Sequence, residues 1–410
     1  MKKFFVFLIF VFSNFFAQHN SVIRQGSPNV YIDCNHCDIN YFKEQISAVN
    51  IVRDRKDSDI HILFSNQRTG SAGVEYTLFF IGLNSFHGMN DTLKFSTYQT
   101  DTDDIIREKT AKFIKIGLAR YIGKTDAADR MNISFSKPDI EKASQTDSWN
   151  YWYMRASLYS YFNGQASNDF INLNSSFSAN RVTDESKINF QISNSYNESN
   201  FNYGSKKIKS ISRSQNFRSY YIWAIDNHWS WGIWAWAFRS TYSNIDYSLS
   251  ISPGLEYNIF PYTMSNQKQL RIEYRIEPNL NKYKEETIFL KTKELLWNQS
   301  LEVTYAVIEP WGSIDVNLES ANYLHDFQKY QIELWSNFSV NLVKGLSLNF
   351  SGGYSKIQNQ IALPRGGATL EEVLLQRREL ETEYSYWGNI GISYSFGSIY
   401  NNIVNSRFGG

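Results

Sequence analysis

The sequence lacks the features that would assign it to several common classes of protein. Its 410 residues include only two cysteines and seven prolines, and the formal net charge is +1. A balanced charge gives no sign of a nucleic-acid partner or of an anionic surface. Beyond the first 17 residues, no apolar run approaches the roughly 18 residues that a membrane-spanning helix needs. These absences exclude a helical membrane protein and give no reason to expect nucleic-acid binding.

The sequence is rich in aromatic residues and has an apolar N-terminus. Aromatic residues make up 16% of the chain and include 27 Tyr and 11 Trp. Lys2 and Lys3, followed by the apolar run Phe4–Phe12, predict a secretory signal over residues 1–17, with cleavage expected after Ala17. In an exported chain without a spanning helix, any membrane-spanning part must be a β-barrel.

Residues 18–123 predict a small periplasmic α/β domain. Helical spacing of apolar residues favours one helix from Asp38 to about Val49 and a second from Thr102–Asp104 to about Gly123. Four strands are predicted, over Val30–Cys34, Ile60–Asn66, Val74–Ile81 and Leu93–Tyr98. This order resembles the amino-terminal α/β domain of the Tol-system propeller protein. The resemblance implies a related fold and a role in binding or bracing other proteins, and it transfers no site.

Cys34 and Cys37, the two cysteines, lie where the first strand meets the first helix. A C-x-x-C at a helix start can hold a reactive thiolate, as in thioredoxin-like proteins. In an oxidising compartment the same pair forms a local structural disulfide. The negative charge of Asp38 disfavours a thiolate beside it, so the disulfide is the preferred interpretation. His36 and His61 are not expected to bind a metal.

A polar linker, residues 124–147, precedes an alternation of apolar and polar residues over residues 148–397. In Gln331–Leu342, for example, every second position is apolar with one exception. A period of two puts one face of a strand in an apolar medium and the other in water. About twelve such strands can be counted, an even number, as bacterial outer-membrane barrels require.

The connections between these strands alternate in length. Short turns are predicted at 183–185, 226–227, 309–311 and 343–345, and longer loops at 197–208, 279–287 and 358–382. With the α/β domain in the periplasm, the short turns are expected at the periplasmic end and the long loops outside. The loop near Thr241 and the turn after Phe260 fit less well. The last loop carries a helical pattern, Thr369–Arg378, which predicts an outer lid or an inward plug.

The last predicted strand ends at Phe396 with the spacing of an assembly signal. Asn389, Gly391, Tyr394 and Phe396 resemble the β-signal that outer-membrane barrels of Gram-negative cells present to their assembly machinery. The resemblance implies recognition by that machinery, with the two aromatic rings at the membrane interface. A periplasmic tail, residues 398–410, follows.

Four charges alternate with apolar residues on one predicted strand: Arg271, Glu273, Arg275 and Glu277. Each would cost about 2–4 kcal/mol if it faced lipid near the membrane midplane, so all four are expected in the lumen. They are either a charged lining that selects solutes or a set of ion pairs that fills a narrow barrel. For about twelve strands, the second interpretation is preferred.

The Trp-rich segment His228–Trp236 is predicted to be an interfacial aromatic belt. Within it, His228 and Ser230 resemble the His-x-Ser spacing of the twelve-stranded outer-membrane phospholipase, with Asn244 as the candidate third group. That resemblance implies a lipid-cleaving enzyme. The surrounding residues do not match, so the enzyme is kept as an alternative rather than as the leading hypothesis.

Together these patterns predict a mainly β protein, a transmembrane antiparallel β-barrel of about 12 strands preceded by a small α/β domain. The whole chain resembles exported proteins that place such a domain before an outer-membrane barrel. The expected location is the outer membrane, with the α/β domain in the periplasm, and the expected role is a channel or scaffold that contacts lipid and a periplasmic protein. The alternatives are an outer-membrane enzyme acting on lipid and a membrane-anchored thiol–disulfide domain. No cofactor, metal or nucleic acid is expected.

Overall fold

The computed structural model describes residues 23–34, 37–70, 72–134, 147–203, 206–366, 379–400 and 402. In these residues the chain is mainly β, with a small α/β part followed by a large antiparallel sheet. The expected signal at residues 1–17, His36, much of the linker, the helical pattern at 369–378 and most of the tail lie outside the described residues. None of the described helices has the length and hydropathy needed to cross a membrane.

The α/β part is a five-stranded sheet with two helices. Its elements are β1 (Asn29–Asp33), α1 (Ile39–Gln45), β2 (Asn50–Ile51), β3 (Ile60–Arg68), β4 (Val74–Gly82), β5 (Asp91–Thr97) and α2 (Asp103–Ile122). The sheet order is β2-β1-β3-β4-β5, in which β1 lies parallel to β2 and β3 and the other pairs are antiparallel. The sequence did not predict β2, because two residues carry no periodicity.

Both helices begin where the sequence predicts. Asp38 caps α1 and Thr102 caps α2, each by accepting a hydrogen bond from a backbone N–H of the first turn. The first helix ends at Gln45 rather than near Val49, yet Val49 is still buried. Helices and sheet share one apolar core, which includes Phe42, Ile62, Phe80, Leu118 and Tyr121.

Twelve consecutive strands form the large sheet, as the alternation predicts. They are β6 (Trp152–Gln165), β7 (Asn168–Val182), β8 (Ser186–Tyr203), β9 (Lys206–Ala224), β10 (Trp229–Ser240), β11 (Ile245–Asn258), β12 (Lys268–Tyr283), β13 (Lys293–Glu309), β14 (Gly312–Tyr323), β15 (Asp326–Val343), β16 (Leu346–Ile357) and β17 (Tyr384–Tyr394). Neighbours in sequence pair antiparallel throughout, so the sheet is a meander. The mainly β class and the strand number are confirmed, and the described pairings leave the sheet open between β6 and β17.

The two faces of this sheet have opposite chemistry and opposite burial. On β11, Ser248, Ser250 and Ser252 are 3%, 7% and 3% exposed, whereas Leu249 and Ile251 between them are 46% and 59% exposed. Every strand contributes an exposed large apolar or aromatic side chain to the same face, as in Leu158, Phe177, Ile192, Trp223, Ile233, Ile251, Ile272, Leu301, Leu318, Leu334, Tyr354 and Ile392. We call this the apolar face and the opposite one the polar face.

The connections fall at two ends of the sheet. The near end carries the turns predicted at 183–185, 226–227, 309–311 and 343–345, all of which are confirmed, together with the connection 259–267. The far end carries the connections 241–244, 284–292 and 358–383, but also the two-residue connections 166–167 and 324–325. The predicted alternation in length therefore holds only in part, and the loop predicted at 279–287 begins later, because β12 continues to Tyr283. The loop predicted at 197–208 is wrong, because β8 continues to Tyr203 and β9 begins at Lys206. The polar row of β8 is rich in Asn and Ser, a composition that also occurs in loops.

The α/β part packs against the near end. The backbone N–H of Gly345 donates to Asp54 Oδ2 over 2.6 Å, and the Lys344 ammonium pairs with Asp57. The amide of Asn266, in the connection 259–267, donates to Thr77 Oγ1 over 3.1 Å. This contact explains why that near-end connection is longer than its neighbours, which the alternation rule did not accommodate.

Candidate functional site

The four predicted lumen charges lie together on the polar face, in the middle of the sheet. The guanidinium of Arg271 donates to Glu302 Oε1 over 3.0 Å, and Arg275 pairs with Glu273 on its own strand and lies 3.5 Å from Glu302 Oε2. Glu302, on β13, also accepts a hydrogen bond of 2.7 Å from Asn317 on β14. Of the two interpretations, the geometry favours pairing across neighbouring strands. Glu277 lies on the same face, and no ion pair joins it in the part of the chain that the structure describes.

Strand register adds a feature that the sequence did not reveal. Five glutamates stand directly opposite one another on five adjacent strands, in the order Glu256, Glu273, Glu302, Glu319 and Glu333. Facing like charges destabilise a sheet unless cations lie between them. The two arginines of β12 sit beside the row and offset part of its charge. These glutamates are far apart in sequence, so only the register of the strands brings them together.

A connecting segment covers the polar face at the far end. We call residues 358–366 the strap. Its Ala362 carbonyl accepts a 2.8 Å hydrogen bond from the side chain of Asn244, and its Pro364 forms an isolated bridge with Thr287. The strap residues Ile361 and Leu363 are each 8% exposed, so they pack inward rather than into solvent. The lid-or-plug helix predicted at 369–378 lies outside the described residues, but the chain leading to it folds over the sheet end.

A cavity of about 300 Å³ lies under the strap. It is lined by side chains from the polar face and from the strap, including Trp236 of β10 and Ile357 of β16. In a flat sheet these two strands would stand about 29 Å apart, six strand spacings. Since both line one small cavity, the sheet curves strongly around its polar face.

The residues of the candidate lipase site do not assemble. Ser230 Oγ donates to the Tyr262 hydroxyl over 2.9 Å, and His228 Nδ1 lies 2.8 Å from the Asn258 carbonyl. Asn244 lies at the far end, whereas His228 and Ser230 lie at the near end, separated by the length of β10. Asn244 instead holds the strap, with a positive φ of 55° and a side chain that bonds Glu285 as well. The geometry therefore gives the lipase hypothesis no support.

Cys34 and Cys37 form a disulfide between β1 and α1. Both side chains pack against the apolar core of the α/β part, and the neighbouring Asp38 forms a 3.4 Å ion pair with Arg107. The bond therefore fixes the strand-to-helix corner. Nearby, burial raises the pKa of the Tyr31 hydroxyl well above its ordinary value, and the carboxylates of Asp33 and Asp54 add to the rise.

The predicted assembly signal lies on the last strand and just past it. Asn389 and Gly391 belong to the polar face, whereas Tyr394 is 63% exposed on the apolar face and ends the strand. Phe396, predicted within the strand, lies two residues beyond it, is 77% exposed and stacks on Tyr394 at a centroid distance of 5.7 Å. Nothing lies within 4 Å of the position that a Cβ on Gly391 would occupy. Packing within the sheet therefore does not demand glycine there.

The segment after the last strand returns to the α/β part. Tyr400 forms an antiparallel bridge with Val52, and the Arg53 N–H donates to the Ile399 carbonyl over 3.1 Å. The side chain of Asn402 accepts a 2.8 Å hydrogen bond from the Ile51 N–H. The chain thus adds a short stretch to the edge of the small sheet at β2, an interaction that no local sequence pattern could indicate.

A cavity of about 630 Å³ separates the α/β part from the near-end turns beside these contacts. Its lining includes Arg53, Lys56 and Trp311. Within the described residues, no group of three or more His, Cys, Asp or Glu side chains is placed to hold a metal ion. His61 is fully buried, and its Nε2 lies 3.0 Å from Asp33 Oδ2. No protein-family model matches the chain, and no curated protein matches its sequence.

Proposed function

We propose that the chain is an outer-membrane β-barrel protein whose large sheet closes through β6 and β17 in the lipid bilayer. The observation that carries this proposal is the inverted burial of the sheet, with serines enclosed on the polar face and large apolar side chains exposed on the other. Water would disfavour such an apolar surface, whereas lipid covers it. Twelve is an even number, so β6 and β17 run antiparallel and can pair as all the other neighbours do.

The α/β part gives the barrel its orientation in this proposal. An exported domain packed on the near-end turns places that end in the periplasm and the strap at the outer surface. Aromatic side chains gather near the periplasmic end of the apolar face, namely Trp152, Trp223, Trp229 and Tyr394. Such belts are typical of membrane interfaces.

The barrel acts as a scaffold with a restricted lumen rather than as a wide pore. The strap covers the far end, the α/β part covers the near end, and ion pairs occupy the polar face between them. Barrels of this strand number leave little room once their inner side chains are in place.

The barrel itself is tested by its migration in gels. The full chain, refolded into phosphatidylcholine vesicles, should migrate differently in SDS before and after boiling, because closed barrels resist the detergent until heated. A chain that stays soluble without detergent, or that migrates identically in both conditions, contradicts the barrel.

The scaffold role is tested by conductance in planar bilayers. We expect the native chain to show no large steady conductance. Asn244→Gly is the informative variant, because glycine tolerates the positive φ and removes the side-chain hydrogen bonds that hold the strap. Conductance that appears only in this variant supports closure by the strap. A large steady conductance of the native chain would contradict the scaffold and favour the channel.

A further inference from the structure

The cavity under the strap has the size of a binding site for a small molecule. Its volume of about 300 Å³ is at the lower limit of ligand pockets. The walls combine aromatic rings with side-chain amides: Trp236, Phe238, Tyr283 and Tyr323 with Asn279, Asn281, Gln331, Asn359 and Gln360.

Asn281 carries the side-chain amide of the cavity that is most available to a ligand. It is 5% exposed and lines the cavity, and its side chain has no hydrogen-bond partner in the described residues. Asn279, two residues earlier on the same face, accepts a 2.9 Å hydrogen bond from Ser248 and keeps its own N–H groups free. The amide atoms of Asn281 remain accessible, because they are not among the enclosed side-chain atoms of the described residues that lack a partner, so a molecule in the cavity can donate to them and accept from them.

The aromatic wall is held rigidly. Trp236 and Phe238 stack at a centroid distance of 5.3 Å with 17° between their planes, and the Trp236 indole N–H donates to Asn216 over 2.5 Å. Two rings stacked on each other present one outer face or their edges to the cavity, and this apolar surface can pack against the C–H groups of a saturated ring. The amides opposite then meet hydroxyl groups on the edge of that ring.

The charges of the lining also restrict the charge of a ligand that can bind there. Glu379 is the one carboxylate of the described lining, and its Oε1 accepts a 2.8 Å hydrogen bond from Gln360. No lysine, arginine or histidine belongs to that lining. An anionic ligand would have no counter-charge here, so the site suits an uncharged molecule rich in hydroxyl groups.

We propose that the cavity under the strap binds a neutral saccharide of one or two rings. The proposal rests on the barrel of the proposed function, which puts the far end at the outer surface, where external sugars can reach it. The rings of Trp236 and Phe238 bind the apolar face of the sugar, and Asn279 and Asn281 bind its hydroxyl groups.

The test is isothermal titration calorimetry of the refolded full chain with glucose and maltose, with glucuronate, which keeps the sugar ring, as the anionic counterpart. Heat-dependent gel migration is measured first on the same sample, so a chain that fails to form a barrel contradicts the proposed function and not the site. We expect at least one neutral sugar to bind and glucuronate not to bind. A folded barrel that binds neither sugar overturns the saccharide site.

Two variants locate the binding. Asn281→Leu should weaken sugar binding at least tenfold, whereas Asn349→Leu, the same change at an exposed position of the polar face outside the cavity, should leave it unchanged. If Asn281→Leu does not fold, Asn281→Ser serves in its place, because it keeps a small polar side chain and should still weaken binding at least tenfold. Equal affinity in the native chain and in the folded Asn281 variant overturns the proposal.

Discussion

Glu302 is the side chain that connects the two arginines of the polar face. It lies 3.0 Å from Arg271 and 3.5 Å from Arg275, and only 16% of its side chain is exposed. At that depth a charged hydrogen bond is screened little by water, so its loss leaves both arginines poorly compensated. Glu333 belongs to the same row of glutamates, but it is exposed and has no arginine partner in the described residues.

Glu302→Gln should therefore lower the free energy of unfolding by about 2 kcal/mol, the worth of a charged hydrogen bond. Glu333→Gln is the matched control, since the same isosteric change at an exposed position should cost less than about 0.5 kcal/mol. Urea unfolding of both variants in vesicles, monitored by tryptophan fluorescence, measures the two changes in free energy. All 11 Trp lie between residues 149 and 387, and all except Trp149 and Trp311 belong to strands of the large sheet, so this signal reports mainly on that sheet. Equal losses in the two variants would show that the ion pairs contribute nothing.

A second prediction at the scale of single residues concerns the disulfide. Cys34 and Cys37 enclose a very short loop, so the chain-entropy model assigns their bond about 2 kcal/mol. Cys34→Ala together with Cys37→Ala should destabilise the α/β part by that amount and leave the tryptophan signal of the sheet unchanged. Amide exchange in β1, β3 and β4 and the mass after maleimide treatment provide the measurements. Maleimide that reacts with the native chain before any reductant is added would favour the thiol-active alternative instead.

Whole elements were predictable from the sequence where apolar residues recurred with one periodicity over a long stretch of the chain. The twelve strands of the large sheet and both helix starts follow from alternation and from capping residues such as Thr102. The ends of β8 and β9 did not, because the alternation changes phase there: Asn200 and Asn202 take positions of the apolar face, whereas Phe201 lies in the polar row. A strand of that composition is recognisable only by its partner.

The candidate site was predictable in part for a related reason. The alternation on β12 placed Arg271, Glu273, Arg275 and Glu277 on one face, as the structure has them. Their partner Glu302 depends on strand register, and Asn281 depends on the strap, which approaches from a distant part of the chain. Long-range contacts of this kind leave no local pattern in a sequence.

The terminal strand carries a prediction about assembly rather than stability. Phe396 is 77% exposed and contacts little besides Tyr394, so Phe396→Ala should leave the stability of the refolded chain almost unchanged. If the motif is read by an assembly machinery, the same variant should reduce the amount of barrel in outer-membrane fractions of expressing cells several-fold. Tyr386→Ala is the control, because it removes an equally exposed ring, 74%, from the same face of the strand outside the motif. Equal yields of both variants in the membrane would contradict the assembly role.

At the scale of the whole molecule, three sets of contacts hold the α/β part on the near end, and two of them lie beside each other, apart from the contact between Asn266 and Thr77. In the first set, carboxylates of the α/β part bind the turn 344–345: Asp54 accepts from Gly345 over 2.6 Å and Asp57 pairs with Lys344. In the second set, the segment after β17 lies beside β2. Gly345 has a φ of 74°, and a side chain there would collide with the Ser395 carbonyl, so the turn and the terminal segment pack directly on each other.

If these contacts act as one interface, weakening the first set should loosen the second. Asp54→Ala together with Asp57→Ala removes two charged hydrogen bonds and should speed amide exchange at Ile51 and Arg53 at least tenfold, because their N–H groups bond to Asn402 and Ile399 across the interface. Exchange in β3 and in the strands of the large sheet should not change. Asp91→Ala, which removes an ion pair with Arg120 inside the α/β part, should affect neither set. Unchanged exchange at Ile51 and Arg53 would contradict a single interface and would mean that the terminal segment binds β2 independently of the turn 344–345.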